Sequence, residues 1–153
     1  MLARDLAETY PTVTLDSDAL DAAWTLGEGR LPGLIVLDDD GLPYTVLPGS
    51  QVLRFLVPAY VQDDPALARA YDEKSADALC SRLASRPVRD MLPKRKDMLD
   101  LPVVEADATA IEVAAVMASM HSPIVAVVDG KTLLGAIRLT VLLAHLLENR
   151  PAS

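Results

Sequence analysis

The same pattern of hydrophobic and polar positions occurs twice along this chain. When Pro11 is set against Pro102, a shift of 91 positions, residues 11–38 align with residues 102–129 without a gap. Eight of these 28 pairs are identical, and several others exchange one aliphatic residue for another. A repeat of this length predicts two copies of one supersecondary unit that share a core.

Each copy predicts the element order β-α-β-β-α. A short strand precedes a helix with apolar residues at helical spacing, and a capping residue starts that helix: Asp18 in the first copy and Thr109 in the second. An aliphatic strand, an acidic turn with glycine and a return strand then predict a hairpin before a closing helix. The first strands are predicted at residues 12–14 and 103–105, and the first helices at 20–24 and 111–115. The hairpin strands are predicted at 34–37 and 44–47 in the first copy and at 124–128 and 133–137 in the second, with closing helices from about Ser50 and Thr140. The fold class predicted is α/β, of the α+β type.

The stretch between the two copies is predicted to be helical. Asp64 before a proline has the composition of a helix start, and apolar residues continue at helical spacing through Tyr71 and Leu79. Ser75 is a candidate start for a second helix, and Pro87 ends the pattern. The stretch is too apolar for a flexible linker, so we expect it to pack on the repeats or across a dimer. The predicted organisation is repeat one at residues 1–60, a helical linker at 61–87 and repeat two at 88–150.

Composition and charge narrow the choice of partners and compartment. The formal net charge of −8 makes nucleic acids and anionic membrane surfaces poor partners, because like charges repel. The single cysteine, Cys80, allows no intramolecular disulfide, suits a reducing compartment, and is expected to be a small buried residue. The first residues lack the regions of a signal peptide, and the longest apolar runs are too short to span a bilayer. A cytoplasmic protein without direct membrane insertion is therefore expected.

The duplicated unit resembles a tandem CBS-domain pair. The resemblance rests on the order of the elements, a proline before the second strand, an Asp-Gly hairpin, and the strand Gly135-Ala136-Ile137 that leads into a helix. It covers about residues 1–60 and 88–149. It implies that the two repeats pack their sheets about a pseudo-twofold axis, with two clefts between them, and that the module pairs into a homodimer. Members of the family commonly bind adenine nucleotides or related ligands in the clefts and regulate an enzyme, channel or transporter.

The resemblance also places a ligand-binding motif at the start of each closing helix. The motif has a hydroxyl residue and, three positions later, a carboxylate that together hold the ribose. In repeat one Pro48 takes the hydroxyl position and Gln51 the carboxylate position. Gly49 and Ser50 lie between them, where the free N–H groups of a helix N-terminus can bind an anion. The alternative is that Pro48-Gly49 is only the turn that starts the helix.

In repeat two Arg138 takes the hydroxyl position and Val141 the carboxylate position, with Thr140 between them. Arg30 and His121 occupy equivalent positions, each two residues before the strand-leading proline, where basic residues of the family can face ligand phosphates. The alternative for both residues is a surface cation at a helix C-terminus, where positive charge is favourable anyway, and this alternative is the favoured one for His121.

These observations predict a non-catalytic regulatory module that senses a small ligand in a cleft or regulates a partner, such as a transporter or an enzyme. The alternative is a structural subunit that binds no ligand. No catalytic or metal-binding constellation is recognisable in the sequence. Because both motifs lack the carboxylate, an adenine nucleotide is expected to bind weakly, if at all.

Overall fold

Two three-stranded sheets form the framework of the molecule. The computed structural model describes residues 1–70, 78, 80–148 and 151. In each sheet the first strand pairs parallel with the second, and the second pairs antiparallel with the third through a hairpin. The strands are β1 (Thr12–Thr14), β2 (Gly33–Leu37) and β3 (Pro43–Pro48) in one sheet, and β4 (Val103–Glu105), β5 (Ile124–Asp129) and β6 (Thr132–Arg138) in the other. The predicted β-α-β-β-α order and the mixed α/β class are confirmed.

The helices begin where the sequence supplies caps. The side chain of Asp18 accepts a hydrogen bond from the Asp21 amide at 3.0 Å, and that of Thr109 accepts one from the Glu112 amide at 3.2 Å. Each cap satisfies a helix N–H that has no partner within the helix. The α-helices are α1 (Ala3–Leu6), α2 (Ala19–Gly29), α3 (Gly49–Leu56), α4 (Ala59–Asp63), α5 (Ala110–Met120) and α6 (Leu139–Leu146), and 3-10 turns span Pro65–Ala70, Val88–Asp90 and Arg95–Asp97.

The stretch between the repeats is only partly as expected. The predicted helix after Asp64 is a 3-10 turn, whereas Tyr71, Ser75 and Leu79 lie outside the described residues. Leu83 is 2% exposed and packs in the core of the first sheet, as expected for a segment that covers the repeats. Cys80 is exposed, so the prediction of a buried cysteine was wrong.

Each repeat takes its first helical segment from the other half of the chain. The Ala3 amide donates to the Ala108 carbonyl at 2.8 Å, and the Val88 amide donates to the Ser17 carbonyl at 2.8 Å. Helix α1 accordingly packs in the core of the second sheet, and the 3-10 turn at Val88–Asp90 packs in the core of the first. The predicted boundaries at residues 60 and 87 stay a prediction, but the two cores are built by reciprocal exchange.

A third buried cluster joins the two sheets face to face. Its members come from β2, β3, β5 and β6 and from the segment before β1: Tyr10, Ile35, Val46, Ile124, Ala126 and Ala136. Ile35 and Ala126 are equivalent under the 91-residue shift, so matching positions of the two repeats meet in this cluster. The two repeats therefore share a buried core between their sheets.

Candidate functional site

The first cleft lies between the end of β3 and the segment 98–100. A cavity of about 490 Å³ opens here, and the end of α5 forms its far wall. A smaller cavity of about 160 Å³ adjoins it at the start of α3, and both are lined by Pro48 and Leu99. The polar side chains around the two cavities are Ser50, Gln51, Arg54, Asp97, Asp100, Ser119, His121 and Ser122. The first cleft is thus a mixed polar and apolar site that carries charge of both signs.

Gln51 uses part of its hydrogen-bonding capacity inside the protein. Its side-chain amide nitrogen donates to the carbonyl of Met91 at 2.9 Å, which ties α3 to the segment after the 3-10 turn at Val88–Asp90. The amide oxygen is the acceptor that Gln51 has left for a ligand. At this position the site therefore offers a neutral acceptor instead of a charged one.

Arg30 and His121 are the C-caps of α2 and α5. Both have the left-handed backbone conformation, with φ of 49° and 52°. Both side chains are exposed, and only His121 lines the first cleft. The structure thus brings Pro48, Ser50, Gln51 and His121 around one cleft, with Gly49 as the first residue of α3, while Arg30 and Thr140 lie outside that lining.

The second cleft is crossed by an ion pair. The guanidinium of Arg138 lies 3.0 Å from the carboxylate of Glu8, which is 130 residues away in sequence. The main chain of Glu8 also exchanges two hydrogen bonds of 3.0 Å with Ala136 in β6. Arg138, which takes the hydroxyl position of the motif in repeat two, is therefore already paired with a carboxylate of the same chain.

Sequence reasoning missed four residues that shape the clefts: Glu8, Tyr10, Thr45 and Leu99. The Thr45 hydroxyl donates to the Leu99 carbonyl at 2.7 Å, and the Tyr10 hydroxyl donates to the Gly33 carbonyl. Burial raises the pKa of the Tyr10 hydroxyl above its ordinary value. One signal was present in the sequence, because threonine in repeat one stands where repeat two has Gly135. The other contacts join distant segments and have no local signature.

The described residues also bear on metal binding and membrane insertion. Within residues 1–70, 78, 80–148 and 151, no three His, Cys, Asp or Glu side chains are grouped so that they could hold a metal ion. No helix in the same part of the chain is long and apolar enough to cross a lipid bilayer.

Solved structures resemble this chain over nearly its whole length. A CBS domain-containing protein of unknown function from Kribbella flavida is 51% identical, with a TM-score of 0.87 over 96% of this chain and 99% of its own. The CBS domain of a membrane protein from Sphaerobacter thermophilus is 22% identical, with a TM-score of 0.68 over 94% of this chain and 86% of its own. CBSX2, solved in complex with AMP, is 18% identical, with a TM-score of 0.65 over 98% of both chains.

No protein-family model and no curated protein matches the sequence. The similarity to the Kribbella flavida protein extends over almost all of both chains at a level of identity that shows common descent. Together with the duplicated β-α-β-β-α unit and the two facing sheets, it shows that this chain belongs to the tandem CBS-domain family.

Proposed function

We propose that this chain is a regulatory module that binds a small ligand in the first cleft and signals its presence to a partner protein. The observation that carries the proposal is the cavity of about 490 Å³ between the repeats, with His121 and Asp100 at its wall. Small-molecule sites typically enclose roughly 300–1,000 Å³ and combine apolar walls with a few polar groups. The family adds support, since CBS domains are typically regulatory and CBSX2 was solved with AMP.

An adenine nucleotide would be held weakly in this cleft. A carboxylate that accepts from both ribose hydroxyls makes charge-assisted bonds, about twice as strong as neutral ones. Gln51 offers only a neutral oxygen, and its amide nitrogen is already bonded to Met91. A buried ribose hydroxyl without a partner costs roughly 1–3 kcal/mol, which corresponds to about one to two decades of affinity.

Calorimetric titration with AMP and ATP tests this ligand assignment. We expect wild-type protein to bind weaker than low micromolar and Gln51→Asp to bind roughly tenfold to a hundredfold more tightly. Gln51→Asn is the matched control, because it has the length of aspartate without the charge and should give no gain. Low-micromolar affinity of the wild type, or an equal gain in both variants, would contradict the assignment.

We further propose that the module is a homodimer, because apolar residues stay exposed at equivalent positions of the two repeats. Leu20 on α2 corresponds to Ile111 on α5, and Leu53 on α3 corresponds to Leu143 on α6; all four are exposed. Trp24 lies one turn after Leu20 and is 69% exposed. A symmetric pair would cover such helix faces, and twofold pairing is the commonest form of assembly.

The tryptophan provides the assay for dimer formation, because Trp24 is the only one in the chain. Light scattering should give twice the chain mass at micromolar concentration, and Trp24→Glu should shift the particle toward the monomer. The control is Tyr44→Glu, which changes another exposed aromatic residue and should leave the particle mass unchanged. Monomeric wild-type protein, with tryptophan emission independent of concentration, would refute the dimer.

The partner is proposed by class only. The CBS domain from Sphaerobacter thermophilus belongs to a membrane protein, so a transporter or an enzyme regulated by a separate chain is a consistent choice. The competing proposal is a structural subunit without a ligand. A thermal-shift screen of nucleotides and metabolites separates the two, because a ligand that binds only the folded state must raise the Tm.

No turnover is proposed for the module itself. Neither the sequence nor the first cleft shows a paired nucleophile and base. Reproducible hydrolysis of a nucleotide by the pure protein, abolished by one substitution in the cleft, would overturn this part of the proposal.

A further inference from the structure

The two clefts occupy equivalent places in the repeats but are bounded by segments in different positions. Under the 91-residue shift, the segment 7–9 beside the second cleft corresponds to the segment 98–100 beside the first, and Glu8 corresponds to Leu99. The two clefts differ in the contacts that these two residues make.

In the second cleft the segment 7–9 lies directly against the sheet. The Glu8 amide donates to the Ala136 carbonyl and the Ala136 amide donates to the Glu8 carbonyl, both at 3.0 Å. This approach requires glycine at position 135, because a Cβ on Gly135 would lie 2.2 Å from the Glu8 carbonyl oxygen. A side chain here would force the segment away from β6.

In the first cleft Thr45 occupies the position of Gly135. Its side chain is 2% exposed, and its hydroxyl donates to the Leu99 carbonyl at 2.7 Å. In repeat two the Glu8 carbonyl accepts from a main-chain amide, whereas in repeat one the equivalent Leu99 carbonyl accepts from a side-chain hydroxyl. The segment 98–100 is thus held to β3 through the threonine side chain, and the cavity of about 490 Å³ opens beside it.

The side chains of the second cleft add to the closure. Arg138 and Glu8 form the ion pair of 3.0 Å, and Tyr10, two residues later, donates to the carbonyl of Gly33 in the other sheet. The equivalent pair in the first cleft is Pro48 and Leu99, neither of which carries a charge.

We propose that the second cleft is closed by the segment 7–9 and that only the first cleft accepts a ligand. Threonine at position 45 keeps the first cleft open, and glycine at the equivalent position 135 allows the second to close. The module then binds one ligand per chain. This inference rests on the proposed function for the existence of a ligand, whereas the difference between the clefts stands on the contacts alone.

Amide hydrogen exchange on the ligand-free, ¹⁵N-labelled chain tests the closure directly. The Glu8 and Ala136 amides should exchange at least roughly a hundredfold more slowly than the Leu99 amide, which has no backbone partner among the described residues. Equal exchange of Glu8 and Leu99 in the wild type would overturn the proposal.

Two substitutions test the role of the glycine and threonine. Gly135→Ala should speed hydrogen exchange at the Glu8 amide. Gly27→Ala is the control and should leave that rate unchanged, because a Cβ on Gly27 meets nothing within 4 Å. Thr45→Gly is the reciprocal change and should slow hydrogen exchange at the Leu99 amide. This variant also keeps the proposal testable if Gly135→Ala does not fold. An unchanged Leu99 amide in Thr45→Gly would overturn the role of threonine.

A ligand experiment uses AMP as the probe. Gln51→Asp and Val141→Asp place the same carboxylate at equivalent positions of the first and second clefts. We expect only Gln51→Asp to raise AMP affinity, with Val141→Asp within about twofold of the wild type. An equal gain in both would overturn the closed second cleft. A gain in neither would refute the nucleotide part of the proposed function, while the exchange difference would still support the closure.

Discussion

Tyr10 stands where the two repeats meet, and its hydroxyl makes a contact that can be removed alone. The ring is 8% exposed in the cluster that joins the two sheets, and the hydroxyl donates to the buried Gly33 carbonyl. The tyrosine therefore supplies a side-chain donor to a buried main-chain carbonyl.

Tyr10→Phe should destabilise the protein by about 1–3 kcal/mol. The apolar ring and its packing are kept, while the buried Gly33 carbonyl loses a partner, and an unsatisfied buried acceptor costs about that much. A chain of this size loses roughly 2–4 °C of Tm per kcal/mol, so the Tm should fall by roughly 2–12 °C. Tyr44→Phe, at an exposed position of β3, is the matched control and should change stability by less than about 0.5 kcal/mol.

The same hydroxyl should make stability depend on pH in the alkaline range. Burial raises the pKa of Tyr10 in the folded state above the value of about 10 that it has when unfolded. A raised folded pKa favours folding below pH 10, and this contribution is lost as the pH rises through the folded pKa. Tyr10→Phe has no such group, so its stability deficit should be constant from pH 7 to 9 and shrink above pH 10.

Urea denaturation at several pH values measures both effects. The difference between wild type and Tyr10→Phe cancels the titration of the other tyrosines, and Tyr44→Phe should follow the wild type throughout. A deficit below about 0.5 kcal/mol at pH 7, or a deficit that stays constant up to pH 11, would refute the reasoning.

Three further substitutions test other contacts. Thr109→Ala removes the N-cap of α5 and should cost about 1 kcal/mol in urea denaturation, a prediction that an unchanged midpoint would refute. Leu83→Ala should cost about 2–5 kcal/mol because Leu83 is buried against the first sheet, whereas the exposed Leu67→Ala should be nearly neutral by the same assay. Thr45→Val keeps the shape of the side chain but leaves the Leu99 carbonyl without its donor, so the Tm should fall; a Tm equal to that of the wild type would show that the bond does not matter.

The sequence by itself determined the repeated unit and its local elements. Strands β1 and β4 lie at the predicted residues, and the caps at Asp18 and Thr109 form as their spacing indicated. These features depend on residues three or four positions apart or on strands joined by a short turn, so short-range pattern is enough to predict them. The family resemblance rests on the same local patterns in the same order, and the comparisons confirm it.

The tertiary structure alone decided how the two halves differ. Glu8 meets Arg138 across 130 residues of sequence, and Thr45 meets Leu99 across 54. The exchange of α1 and the 3-10 turn at Val88–Asp90 between the two cores is likewise long-range. Such contacts leave no periodic trace, because they depend on where folding brings distant segments together. The alignment of the repeats could indicate two equivalent clefts, whereas their inequivalence follows from one side chain, present at position 45 and absent at position 135, whose effect is set by the segment packed against it.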